Sequence, residues 1–166
     1  VAEIHCAAVA VAAGLQRAGL TPGDAVAVQL TNGLDCAIAY QAVLLCGAVL
    51  IPIVHVYGPK EVGFILRESG ARIFIMPAQL QSTNFLDRIP AYAQITTLQS
   101  VVVVGANAGP GYLSWPELLC EQSDYAQPSP YADDVCVLLY TSGTTSAPKG
   151  VQHSHNSLLA EQRTLP

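Results

Sequence analysis

AVAVQLTNGLDCAIAYQAVLLCGAVLIPIV, residues 25–54, holds two short apolar runs, AVAVQL at 25–30 and VLIPIV at 49–54, on either side of a longer apolar stretch at 34–45. The outer runs suit buried strands of a parallel sheet. The inner stretch keeps a helical pattern through Leu45, with Asn32 placed to cap its start and Gly47 beyond its end. Within it, residues 36–54 are 19 residues without a charge, close to the roughly 20 that a membrane-spanning helix needs. Gly47 and Pro52 break that run into helix, turn and strand, which points to a packed interior instead of a bilayer. Two parallel strands joined by a helix make one βαβ unit, and the question becomes whether the flanks repeat it.

They do. Upstream, EIHCAAVAVAAGLQRA (residues 3–18) is apolar on most faces and reads as a largely buried helix ended by Gly19, followed by an LTPGD turn. Downstream, Pro59 fits the first turn of a helix running to about Glu68 and closed by Gly70, and RIFIMP (72–77) supplies a third strand. Past Pro77 the pattern loosens. SVVVVG (100–105) is a fourth strand, ANAGPG (106–111) a flexible loop, and SWPELLCEQ (114–122) a short helix. The polar stretch 123–134, with Pro128 and Pro130, reads as a surface linker leading to VCVLLY (135–140), apolar enough for the middle of a sheet. The expected fold class is α/β, with βαβ units and a mainly parallel sheet. The chain divides into an α/β segment at 1–122, the linker at 123–134, and a central strand, loop and helix start at 135–166.

Composition narrows the function. Half of the 166 residues are hydrophobic and 11% are charged, the profile of an α/β interior and not of a disordered chain. Seven Lys and Arg against 12 Asp and Glu give a net charge of −5 with no basic run, which argues against nucleic acid and acidic lipid as partners. The five cysteines are odd in number, widely spaced and set in apolar surroundings, unlike a disulfide framework or a zinc site, and fit a reducing cytoplasm. His153 and His155 lack a Cys or carboxylate at ligand spacing and read as polar residues flanking a strand end. The first residue is Val, and no signal peptide is recognisable, so the natural start is expected to lie further upstream.

The chemistry is concentrated after the last strand, in Thr141-Ser142-Gly143-Thr144-Thr145-Ser146-Ala147-Pro148-Lys149-Gly150. The carboxyl end of a strand is where open α/β sheets bind ligands. Glycines let backbone N–H groups approach an anion, hydroxyls donate further bonds or meet Mg2+, and a lysine supplies a point charge. The same composition also fits a solvated turn, and composition alone leaves both open. Two familiar phosphate motifs are excluded. Counting from Gly143, a Walker A loop would need Gly at 148 and Ser or Thr at 150, where Pro148 and Gly150 stand, and none of the 13 glycines forms G-x-G-x-x-G.

The order of residues is more telling. YTSGTTSAPKGV (140–151) closely resembles the phosphate-loop signature of the adenylate-forming superfamily, which comprises acyl-CoA synthetases, luciferases and peptide-synthetase adenylation domains. It departs only at Ser146, where that family prefers glycine. LTPGDAVAVQLTN (20–32), CGAVLIPI (46–53) and VGFILRESGARIFI (62–75) are similar to the opening of acyl-CoA synthetases, with Ile51 where many relatives have asparagine.

The resemblance implies an enzyme that joins a carboxylate to the α-phosphate of ATP, expels pyrophosphate, and then exchanges AMP for the thiol of coenzyme A. It implies that Thr141, Ser142, Gly143, Thr144 and Thr145 hold the β- and γ-phosphates together with Gly150. Thr144 or Thr145 would stand on the Mg2+ side, and Lys149 would hold the departing pyrophosphate. HVYGPKEVGFIL (55–66) is reminiscent of relatives acting on medium-chain, alicyclic or aromatic acids. The family's adenine, ribose and hinge segments, and its adenylation lysine, have no counterpart among these residues, so no catalytic set is complete here. The expectation is therefore a front segment of a longer ligase, inactive alone and prone to self-association. The alternatives are a ligase or adenylation domain that delivers its acyl group to a carrier protein, and a nucleotide-binding module without catalysis.

Overall fold

The computed structural model describes residues 1–105, 111–141 and 148–164, the side chain of Thr164 excepted. Helix α1 (Ala2–Arg17) leads to strand β1 (Ala25–Val28), then α2 (Leu34–Leu45), β2 (Val49–Pro52), α3 (Pro59–Ser69) and β3 (Ile73–Pro77). A two-stranded ribbon, β4 (Gln79–Leu80) and β5 (Thr83–Asn84), and a 3-10 helix at Leu86–Tyr92 precede β6 (Ser100–Val104) and β7 (Leu113–Ser114). After 3-10 turns at Trp115–Leu118 and Gln122–Asp124 come β8 (Val135–Thr141), β9 (Lys149–Ser154) and α4 (His155–Thr164).

Among the described residues seven strands form one sheet in the order β7-β6-β3-β1-β2-β8-β9. Every pair is parallel except β8 with β9. The sheet is buried on both faces because alternate strand residues serve two cores. Val26, Val28, Ile73, Ile75 and Val102 pack with α1 and α2. Ala27, Phe74, Met76, Val101 and Val103 pack with α3 and the 85–95 segment. Strands buried this way read as unbroken apolar runs, which is why four of them are visible in the sequence.

Local causes account for most element ends. Pro59 begins α3, and Gly70, at φ 65°, takes the left-handed conformation that closes it. At the foot of β1 the Thr21 amide and hydroxyl both donate to Asp24 Oδ2 at 2.7 Å. Arg72 donates to the same carboxylate, tying the entrances of β1 and β3.

Several expectations need correction. Asn32 does not cap α2. Gly33 holds the cap position with extended backbone and no side-chain bond, and because residues 31–35 are exposed, water can satisfy the first N–H groups. SWPELLCEQ is not one helix. Ser114 and Glu117 form a capping box around Pro116, but the turn lasts only four residues before Leu119 returns to extended backbone. The Cys120 amide then donates to the Ala10 carbonyl of α1 at 3.3 Å, so backbone bonding to a neighbour replaces the next helical turn. The loosened stretch after Pro77 contains β4, β5 and the 3-10 helix. VCVLLY does not lie in the middle of the sheet. Strand β8 is one place from the edge, joins β2 through Leu50 and Val137, and has only Cys136 and Val137 fully buried. Strand β2 stops at Pro52, so among the described residues the outer half of β8 is paired only with β9.

The stretch 123–134 runs over the surface but is tied down. The Tyr125 hydroxyl donates to the Leu45 carbonyl at 2.7 Å, and Gln16 and Ala126 exchange two hydrogen bonds of 2.7 and 3.0 Å. Of the ANAGPG stretch, residues 106–110 lie outside the described residues. The uncharged run 36–54 is divided between α2 and β2, with Gly47 between them at φ 64°. Among the described residues no helix is long and apolar enough to cross a membrane.

Candidate functional site

Parallel strands bring their carboxyl ends to one edge, and every loop leaving that edge shares it. The segment after β2 is fixed there by Gln29, a fully buried residue just beyond β1. Its Nε2 donates to the carbonyls of Val54 (3.2 Å) and Tyr57 (3.0 Å). Arg88 donates to the same Tyr57 carbonyl at 3.2 Å while its guanidinium lies 4.0 Å over the Phe85 ring. A cleft of about 350 Å³ opens beside this knot, with Thr31, His55, Gln81, Thr83 and Arg88 on its walls. Nothing in the sequence singled out Gln29 or Arg88. A polar residue next to a buried strand is the available signal, and it does not say which carbonyls the side chain will reach.

Strand β8 runs parallel to β2 and so delivers Tyr140 and Thr141 toward the same edge. Strand β9 returns antiparallel, and Thr141 stands opposite Lys149, with the Thr141 hydroxyl donating to the Lys149 carbonyl at 3.5 Å. Eight positions apart in sequence, the two ends of the candidate loop are therefore neighbours. Thr141, Lys149 and Gly150 are all exposed. Ser142, Gly143, Thr144 and Thr145, with Ser146, lie outside the described residues, as does the assignment of Thr144 and Thr145 to Mg2+.

The donor set fits an anion. From Thr141 to Ser154 there is no Asp or Glu, and the stretch offers hydroxyls, backbone amides, one ammonium, the Gln152 amide and the His153 imidazole. Mg2+ favours carboxylates together with substrate phosphates, so hydroxyls of this loop would meet it only as part of a nucleotide complex. Burial and the Glu68 carboxylate push the Tyr140 hydroxyl above its ordinary pKa, and the nearby Ser69 side chain acts in the opposite direction. The ring thus reaches the last turn of α3. Both histidines near the loop have structural places, His153 in β9 opposite Val137 and His155 at the start of α4.

A family model described as AMP-binding enzyme matches residues 1–165. The chain is 30% identical over 148 residues to the medium-chain fatty-acid–CoA ligase of Escherichia coli (strain K12), covering 87% of this chain and 26% of that one. It is 32% identical over 158 residues to the salicyl-AMP ligase / salicyl-S-ArCP synthetase of Mycobacterium tuberculosis, covering 93% and 27%. Among solved structures, an anthranilate CoA ligase in complex with anthranoyl-AMP superposes with a TM-score of 0.83 at 26% identity, over 92% of this chain and 29% of that one. The chain spans about a quarter of the length of these curated relatives.

Proposed function

The chain belongs to the AMP-binding enzyme family, and from that premise we propose that it is the front part of an ATP-dependent carboxylic acid:CoA ligase acting in the cytoplasm. The family match over residues 1–165 carries this reading. The Thr141–Lys149 pairing at the carboxyl edge supports it, because it sets the two ends of the signature loop side by side.

In this reading Thr141, Ser142, Gly143, Thr144, Thr145 and Gly150 hold the β- and γ-phosphates of ATP through hydroxyl and backbone donors. Lys149 balances the charge that gathers on pyrophosphate as it leaves. Bound Mg2+, met by Thr144 or Thr145, would neutralise phosphate charge. The carboxylate substrate is a fatty, alicyclic or aromatic acid, and coenzyme A accepts the acyl group. In this reading the loop residues hold phosphate, while the remaining chemistry belongs to the part of the enzyme outside the matched quarter.

The test is carboxylate-dependent exchange of labelled pyrophosphate into ATP by the complete gene product, run against a panel of such acids. Exchange with at least one acid is expected, and none with any acid would remove the ligase reading. Likeness to the salicyl-AMP ligase supports a second reading, transfer to a carrier protein. Exchange without thioester formation on free coenzyme A would favour it. Binding of Mg·ATP with no exchange would favour the non-catalytic module.

A further inference from the structure

In an antiparallel pair a slip of one residue sends every side chain to the opposite face. The register at the loop end of β8 and β9 pairs Leu139 with Val151, Tyr140 with Gly150, and Thr141 with Lys149. Thr141 and Lys149 therefore share one face, and Tyr140 and Gly150 the other. Further from the loop the same pair is irregular, with a register shift between Val135 and Val137.

Gly150 supplies the clue. A glycine inside a strand weakens it and calls for a reason. Positive φ is not the reason, since Gly150 is absent from the glycines with that conformation. Space is. A Cβ placed on Gly150 would stand 3.3 Å from Tyr140 Cζ and 2.9 Å from Leu138 Cδ1, inside the roughly 3.5–4.0 Å at which carbon atoms pack. Leu138 and the edge of the Tyr140 ring together crowd the position where Gly150, exposed on its other side, has no side chain, an aromatic set beside a strand glycine. Sliding β9 by one residue would bring Lys149 or Val151 opposite Tyr140, and each carries a Cβ that would crowd the Tyr140 ring and the Leu138 side chain. Tyr140 also packs against the core beneath α3, so the ring is held from behind.

We propose that Tyr140 is a positioning residue whose ring, set beside Gly150, locks the register of β8 and β9 and so keeps Thr141 and Lys149 on one face at the ends of the loop. The inference rests on the reading of Lys149 as a phosphate-binding group. It assigns Tyr140 no contact with substrate.

The experiment compares wild type, Tyr140→Phe and Tyr140→Ala in the complete gene product. The readouts are the KM values for ATP and acid in pyrophosphate exchange, and amide hydrogen exchange across residues 138–152. Tyr140→Phe keeps the ring and should leave the ATP KM within about twofold of wild type and amide protection unchanged. Tyr140→Ala should raise the ATP KM tenfold or more, leave the acid KM unchanged, and speed amide exchange at 149–152 at least tenfold. Wild-type ATP KM and protection in Tyr140→Ala would overturn the proposal, as would a Tyr140→Phe variant as impaired as Tyr140→Ala. If wild type exchanges pyrophosphate with no acid, the ligase reading falls, and the amide-exchange comparison still decides whether the ring locks the register.

Discussion

Gly14 lies in the last turn of α1 where the backbone of Leu118 crosses, and a Cβ there would stand 2.0 Å from the Leu118 carbonyl oxygen. Alanine is the better helix former by about 1 kcal/mol, but backbone cannot yield as a side chain tip can, and overpacking costs about 1–3 kcal/mol. Gly14→Ala should therefore destabilise the protein, read as a lower urea midpoint. At Asp24 burial acts to raise the carboxyl pKa, but hydrogen bonds from Arg72 and Thr21 and the guanidinium charge outweigh it and leave it below the ordinary value. A depressed folded pKa gives stability that is complete above the unfolded value near 3.9 and is lost as pH falls through the lower folded value. Asp24→Asn should cost stability by a constant amount between about pH 5 and 7, with the gap to wild type closing below about pH 4. A series of unfolding curves across pH would check this. For Lys149→Ala, loss of a charged donor worth about 1.5–3 kcal/mol should slow pyrophosphate exchange roughly 10- to 100-fold in the complete gene product. Unchanged exchange would remove Lys149 from its role.

Among the elements, α1, α2, α3 and the strands β1, β2, β3 and β6 were legible from apolar runs and punctuation, because each depends on a burial pattern a few residues long. Pro59 and Gly70 mark both ends of α3 by backbone geometry alone. The 3-10 helix at 86–92 was not legible, the helical turn at 115–118 was read as a longer helix at 114–122, and β9, whose polar residues Gln152, His153 and Ser154 follow no alternating apolar pattern, was not read as a strand. These elements are held by what they land on. The surface connection 123–134 is of this kind, with Tyr125 joined to the end of α2 and Ala126 to α1. Tyr125→Phe removes one hydrogen bond without opening a cavity. It should cost about 0.5–1.5 kcal/mol and raise amide exchange within 122–130 more than in the central strands.

For the molecule as a whole, Leu139 and Val151 stand opposite each other at 39% and 44% exposure, with Leu159 of α4 at 50%. Among the described residues strand β9 also ends the sheet, leaving one side without a neighbouring strand. A 166-residue chain prepared alone should therefore self-associate, and light scattering that finds only monomer would contradict this. Sequence by itself determined the α/β class, the order of most helices and strands, and the phosphate-loop signature, because apolar period, proline, glycine and a motif act locally. Only the tertiary structure decided the strand order, the place of β8 one strand from the edge, the Gln29 and Arg88 knot on Tyr57, and the seat of Tyr140 beside Gly150. Those depend on which surfaces bury each other across distant parts of the chain. A run of apolar residues states that it needs a partner, but not which one.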